Sequence, residues 1–202
     1  MKVLTISNDL LYELSVELSK KIKINEFSPD ILIGIATGGI YISRTVHKVL
    51  LNNNWQGKYY EIELSRESTE VKKKLKIKIL LTKLSYFILN QLRKVEMFIS
   101  EHFKTEKYDS VKEDRVILPD NLINDIRNNN SILLVDDAID TGSTILAIKN
   151  IIKKFNPSID IKVAVLTVTH KKPYIEPDYT LYRRVLLRCP WAEDYKGGDK
   201  IE

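Results

Sequence analysis

Cysteine is nearly absent: Cys189 is the single one among 202 residues. An internal disulfide is therefore excluded, and the chain suits a reducing compartment. There are three histidines, His47, His102 and His170, and none has a partner at metal-ligand spacing. A zinc-type site is not expected. His47 and His102 sit in helical patterns and read as surface or packing residues. No apolar run approaches the ~18 residues of a membrane span, and the N-terminus carries no secretory signal pattern. The expected compartment is the cytoplasm, with no membrane partner. Internal repeats and low-complexity linkers are missing too, so residues 1–202 read as a single domain.

Several ligand-binding signatures are also missing. Gly34-Ile35-Ala36-Thr37-Gly38-Gly39 is a glycine-bearing turn, but no Gly-Lys-Ser/Thr follows it, so it is not a P-loop. It lacks the G-x-G-x-x-G spacing of dinucleotide folds as well. The acidic segment at 136–147 is not an EF-hand, because its twelfth position, Ala147, cannot supply a bidentate carboxylate. Lysine and arginine exceed aspartate and glutamate by five. With no recognised nucleic-acid motif, that excess reads as solvated surface, and nucleic acid is not an expected partner.

What is present is concentrated in residues 131–144. The apolar run Ile132 to Val135 stops at two adjacent carboxylates, Asp136 and Asp137, and a third acid, Asp140, follows. Thr141-Gly142-Ser143-Thr144 then leads into a helical pattern through Ile145, Ile148, Ile151 and Ile152. This predicts a buried strand, a polar loop and a helix start. Carboxylates accept hydrogen bonds from vicinal ribose hydroxyls. Backbone N–H groups at a helix start, with Thr and Ser hydroxyls, hold a phosphate. Simple helix capping would need only one acid, and two like charges at a buried strand end cost free energy unless a ligand or metal relieves them.

The remaining pattern alternates strands and helices. Helices are predicted over 9–24 (with Asp9 as a cap), 40–51 and 121–128; strands over 31–35, 59–64 and 161–168, with one or two more between Tyr179 and Leu187. Residues 66–107 form an unusual insert. Lys72, Lys73, Lys74, Lys76 and Lys78 precede an amphipathic stretch through Ile79, Leu80, Leu84, Phe87, Ile88, Leu92, Val95 and Phe98. The lysines read as a solvated face or as a basic lid over an anion. The polar tail, residues 193–202, is expected to fray. The fold class is α/β, with a mostly parallel central sheet flanked by helices, a helical insert and a small C-terminal hood.

Val135-Asp136-Asp137-Ala138-Ile139-Asp140-Thr141-Gly142-Ser143-Thr144 resembles the phosphoribosyl pyrophosphate motif of type I phosphoribosyltransferases. The turn at 36–39 matches the place of that family's pyrophosphate loop. His170-Lys171-Lys172-Pro173, Pro177-Asp178-Tyr179 and Leu186-Leu187-Arg188-Cys189-Pro190-Trp191 are similar to the 6-oxopurine branch, most of all to the small xanthine–guanine type. The resemblance spans roughly residues 28–191. It implies a nucleoside monophosphate made from phosphoribosyl pyrophosphate and a purine base, with pyrophosphate released and Mg2+ as cofactor.

Residue by residue, the resemblance implies that Asp136 and Asp137 hold the ribose hydroxyls, directly or through magnesium. Ala138, Ile139, Thr141, Gly142, Ser143 and Thr144 would wrap the 5-phosphate. Asp140 would serve the base nitrogen as general base or proton stabiliser. Thr37, Gly38 and Gly39 would meet the pyrophosphate after a non-proline cis bond, with Ser65 and Arg66 on the catalytic loop beside it. Lys172 would donate to the purine 6-oxygen, and Leu186 and Leu187 would line the base. Two departures stand out. Thr37 replaces the family's arginine or lysine, and Leu186 or Val185 stands where an aromatic stacks on the purine. Trp191 reads as a core residue and Cys189 as buried and inert. A non-catalytic nucleotide sensor, or a transferase for a pyrimidine or another acceptor, are the alternative readings. A homodimer or higher oligomer, with the insert as an interface, completes the expectations.

Overall fold

The computed structural model describes residues 2–24, 27–63, 84–103, 113 and 116–200. Twelve elements are described: β1 (Lys2–Thr5), α1 (Asn8–Ile24), β2 (Ile31–Ile35), α2 (Gly38–Leu51), β3 (Lys58–Ile62), α3 (Tyr86–Phe103), α4 (Asp120–Asn128), β4 (Ser131–Ile139), α5 (Ser143–Phe155), β5 (Asp160–Val168), β6 (Tyr179–Arg183) and β7 (Val185–Arg188). Five strands form one sheet in the order β3-β2-β4-β5-β6, and every pairing in it is parallel. β1 and β7 pair, also in parallel, as a separate two-stranded sheet, and with the segment after β7 up to residue 200 they form the C-terminal hood. The α/β class and the parallel sheet expected from the sequence are both found.

Parallel strands must be covered on both faces, which explains the near-continuous apolar runs. Successive residues then alternate sides. Ile31, Ile33, Ile132, Leu134, Val163 and Val165 face α4 and α5, where Leu122, Ile126, Ile145, Ile148 and Ile152 complete one core. Leu32, Leu133, Val135, Ala164 and Leu166 face α1 and α2, meeting Leu14, Leu18, Ile42 and Val46. Fully burying each such aliphatic side chain contributes about 1.5–3 kcal/mol, so the two layers dominate the folding free energy.

Several boundaries differ from the sequence expectation. α1 starts a residue early, and its cap is Ser7, whose Oγ accepts from Leu10 N–H at 3.2 Å. Asp9 lies in the first turn instead. α2 begins at Gly38, not Ile40. β4 does not stop at Val135: Asp136, Ala138 and Ile139 still pair with Val165, Thr167 and Val168. β5 is long enough to carry the ladder past the acids. β1 has no helical or alternating signature in four residues and was not expected. The tail is not frayed through residue 200. Asp194 and Tyr195 are buried, and Asp199 accepts from the Asn8 N–H at 2.7 Å. Of the insert, the second half is the helix α3; the lysine run, Ser65 and Arg66 lie outside the described residues.

Candidate active site

The strand order places a crevice between β2 and β4. The chain leaves β2 for α2 on one face of the sheet and leaves β4 for α5 on the other. At such a switch point the two loops diverge and leave room for a ligand beyond the carboxyl ends of the strands. The Ala36–Thr37 peptide on the β2 side is cis, the expected non-proline cis bond.

The two loops are in contact. A Cβ on Gly39 would lie 2.3 Å from the Val135 carbonyl oxygen and 2.7 Å from Asp136 Cα. A Cβ on Gly38 would lie 2.4 Å from Asp137 Cγ and 2.7 Å from Trp191 Cζ2. Only glycine lets the start of α2 reach β4 this closely. A strand-to-helix turn calls for glycine anyway, but the turn at 36–39 is built against the acidic pair.

Asp136 and Asp137 are half-buried at the end of β4. Asp136 Oδ1 accepts from the Asp137 N–H at 2.8 Å. Burial first, then the neighbouring Asp137 charge, raises the Asp136 carboxyl well above the usual carboxylate range. Burial also raises Asp137, against lowering contributions from Asp136, the facing Trp191 indole and the Ala138 N–H. Two carboxylates held in this way attract cations and hydroxyl donors.

Asp140 is exposed on the loop after β4, and Thr169 reaches it from the end of β5. The Thr169 hydroxyl donates to Asp140 Oδ1 at 3.1 Å and lies 3.3 Å from the Ile139 carbonyl. Arg184, in the left-handed region at φ 61°, donates from Nη1 to the Thr169 carbonyl at 2.7 Å. Thr169 and Arg184 were not singled out in the sequence. The position of Thr169 directly after the apolar run of β5 was the one signal that could have found it.

The phosphate-type loop follows. Gly142 adopts φ 83°, a left-handed conformation that costs other residues strain, and an added Cβ would come 2.9 Å from Ile175 Cγ2. The Thr141 and Ser143 hydroxyls are 3.0 Å apart at the start of α5. The N–H groups opening a helix, beside two hydroxyls, make an anion site. The Tyr174 N–H donates to the Thr141 carbonyl at 2.7 Å, so the segment carrying Lys172 lies over this loop. Lys172 itself is exposed.

Leu186 and Leu187 lie half-buried on β7, paired with Val3 and Leu4 of β1. Trp191 packs against the core on the α1 and α2 side, as expected, but at its edge. It is half-buried, stacks on Tyr41 with ring centroids 5.2 Å apart, and also borders Gly38 and Asp137. Cys189 is buried as expected, and burial pushes its thiol well above its ordinary pKa. His47 packs, as expected, in a stack on Tyr59 at 4.5 Å.

The family model for the phosphoribosyl transferase domain matches residues 7–195. The chain belongs to this family. Nearly every residue described above lies within the match, and the chain is a phosphoribosyltransferase. No curated protein sequence matches it. Among solved structures, a purine phosphoribosyltransferase of Pyrococcus horikoshii aligns over 95% of both chains, with 17% identity and a TM-score of 0.56. A xanthine–guanine–hypoxanthine phosphoribosyltransferase of Helicobacter pylori aligns over 92% of this chain and 91% of its own, with 15% identity and a TM-score of 0.51. A Neisseria gonorrhoeae protein with bound ppGpp aligns over 94% and 89%, with 15% identity and a TM-score of 0.54. At these identities the likeness is one of fold.

Magnesium suits the donor set. Among the described residues, no group of three or more His, Cys, Asp or Glu side chains gathers as a metal cage. Two adjacent carboxylates are hard oxygen donors of the kind that share Mg2+ with substrate phosphates and water.

Proposed function

We propose that this phosphoribosyltransferase joins a 6-oxopurine base to the ribosyl group of phosphoribosyl pyrophosphate, forming a nucleoside monophosphate and releasing pyrophosphate. The observation that carries the reading is the contact of Gly38 and Gly39 with Asp136 and Asp137. It brings the 36–39 turn against the acid pair, and the Thr141–Thr144 loop follows the same strand, which supports a diphosphate, ribose hydroxyls and a phosphate bound side by side.

In this reading Ala138, Ile139, Thr141, Gly142, Ser143 and Thr144 hold the 5-phosphate. Asp136 and Asp137 hold the ribose hydroxyls and Mg2+. Bound there, Mg2+ supplies charge neutralisation for the pyrophosphate oxygens. Thr37, Gly38 and Gly39 present backbone N–H groups and a hydroxyl to the leaving pyrophosphate. The base nitrogen forms its bond to C1 as the bond from C1 to pyrophosphate breaks, and Asp140, oriented by Thr169, accepts the proton that the base nitrogen loses. Lys172 donates to the 6-oxygen. Leu186 and Leu187 line the base with aliphatic surface instead of a ring. Most of the rate enhancement comes from positioning and from stabilising the departing charge.

A second reading, a nucleotide sensor without catalysis, has Thr37 in its favour, since that turn carries no cation of its own. One experiment separates the two. Purified chain is offered phosphoribosyl pyrophosphate and Mg2+ with hypoxanthine, guanine, xanthine, adenine, uracil or orotate, and pyrophosphate release is followed. Turnover of an oxopurine is expected. Asp137→Asn should lose about 3–6 kcal/mol of transition-state binding, 10²–10⁴-fold in kcat/KM, because two charge-assisted bonds to hydroxyls go. Its thermal stability should not fall, since one of two repelling charges is gone. Binding of phosphoribosyl pyrophosphate with no turnover of any base would favour the sensor.

A further inference from the structure

One residue carries the chain from the main sheet to the hood. β6 ends at Arg183 and β7 begins at Val185, so Arg184 alone makes the corner between them. It does so at φ 61°, in the left-handed region. Glycine adopts that conformation without strain, and arginine does not. Among the described residues one other non-glycine residue stands there, Asn54, and asparagine tolerates it. A strained arginine at a corner that glycine would suit is explained by what its side chain reaches, not by the turn.

The main chain and the side chain of Arg184 hold successive residues at the end of β5. Its N–H donates to the Val168 carbonyl at 2.8 Å, and Nη1 donates to the Thr169 carbonyl at 2.7 Å. Val168 is the last residue of β5 and pairs with Arg183; Thr169 lies past this ladder, so the guanidinium meets its carbonyl instead of a strand. The Thr169 N–H donates in turn to the Ile139 carbonyl at 2.8 Å. The peptide groups on both sides of Thr169 are therefore fixed. Threonine is stiff at χ1, so a fixed backbone also fixes the hydroxyl, which donates to Asp140 Oδ1 at 3.1 Å. Thr169 is buried, which makes water a poor replacement for the guanidinium at its carbonyl. Asp140 is exposed and, without the Thr169 hydroxyl, would sample several rotamers.

We propose that the guanidinium of Arg184 is a positioning group for Asp140, acting through Thr169. The main chain of Arg184 makes the corner that starts the strand carrying Leu186 and Leu187, and its side chain aims the acid. One residue thus sets the base-lining strand and the proton-accepting carboxylate in a common geometry. The inference rests on the reading of Asp140 as the group that takes the base proton. Its effect falls on the chemical step and not on the binding of phosphoribosyl pyrophosphate, because the Arg184–Thr169 chain of hydrogen bonds reaches Asp140 and not the 36–39 turn or the acid pair.

Arg184→Gly separates this role from a structural one. Glycine relieves the left-handed strain while the guanidinium is lost, so the melting temperature of the full chain should change little. For the base that is turned over, kcat should fall about three- to tenfold with KM for phosphoribosyl pyrophosphate unchanged. Because the guanidinium acts through Thr169, Arg184→Gly combined with Thr169→Val should be no slower than Thr169→Val alone. An unchanged kcat in Arg184→Gly, or losses that multiply in the double variant, would overturn the proposal. So would a loss of kcat accompanied by a large fall in melting temperature, the sign of a structural residue. Amide hydrogen exchange needs no turnover: the Thr169 N–H should exchange about tenfold faster in Arg184→Gly than in the wild type. A wild type that turns over no base would refute the reading of the reaction; the exchange result then decides on Arg184, and equal exchange rates would overturn its role.

Discussion

Asp194 sits at the junction of the insert and the hood, and its replacement by asparagine gives a demanding test of how the two are joined. Its side chain is 7% exposed and accepts from Arg188 Nε at 2.9 Å and Arg93 Nε at 2.9 Å. Arg188 is 1% exposed, Arg93 25%. Removing the carboxylate charge leaves Arg188 with a full charge and only neutral acceptors, Thr5 Oγ1 at 3.0 Å and Asn90 Oδ1 at 2.8 Å, with the Tyr86 ring at 4.5 Å. Breaking a buried ion pair from one side costs about 3–5 kcal/mol, and the remaining neutral acceptors put this site near the lower end. That is a large fraction of the ~5–15 kcal/mol of a typical domain.

Arg93→Ala makes the contrast. It leaves the Arg188–Asp194 pair intact and removes a partly exposed partner, so a loss of about 1–2 kcal/mol is expected. Urea unfolding of the three proteins measures both, and the reasoning requires Asp194→Asn to be the more damaging. Equal losses, or a reversed order, would mean that the buried pair is not what holds the hood. The pH dependence follows from the same residue. Burial alone would raise the Asp194 carboxyl, but hydrogen bonds and charge from Arg93 and then Arg188 outweigh it and hold it below the usual aspartate value. A carboxyl whose folded pKa is depressed stabilises above its unfolded pKa of about 4 and loses that contribution as pH falls through the folded value. The gap between wild type and Asp194→Asn should therefore be full at neutral pH and shrink below about pH 4.

Two further substitutions address the crevice. Gly39→Ala would gain up to about 1 kcal/mol from helix propensity, but its Cβ meets backbone atoms at 2.3 and 2.7 Å, so overpacking of about 1–3 kcal/mol or more should win; thermal melting reads the net loss, and the KM for phosphoribosyl pyrophosphate should rise with it. Thr169→Val keeps the shape of a buried residue but removes the hydroxyl that orients Asp140. A fall in kcat of about tenfold with KM for phosphoribosyl pyrophosphate unchanged is expected, the split that separates a positioning residue from a binding one; unchanged kcat would remove Asp140 or its orientation from the chemistry.

Much of this arrangement was legible in local sequence, and the reason is physical. A strand buried on both faces must be apolar without interruption, so β2, β4 and β5 announced themselves as runs of Ile, Leu and Val. Charges at the end of such a run are expensive, so Asp136 and Asp137 pointed to a ligand without any coordinates. Gly142 could be placed at a helix start because a tight loop there requires a left-handed residue. These signals depend on residues adjacent in the chain. The rest depends on residues that are not.

Gly39 and Asp136 are 97 positions apart, and only the parallel pairing of β2 with β4 makes the glycine a matter of necessity and not of turn formation. Trp191 carries an aromatic side chain suited equally to a core or a site edge, and its place beside Asp137 follows from how the hood folds over the crevice. Four-residue strands such as β1 and β7 are stabilised by each other, so β1 left no periodic trace. The polar tail read as frayed because its composition is hydrophilic, yet a buried guanidinium on β7 recruits Asp194 back into the fold. Local pattern determined the elements, the acid pair and the family resemblance. Tertiary structure alone decided which distant groups share a surface, because burial, close approach and charge pairing are properties of neighbours in space.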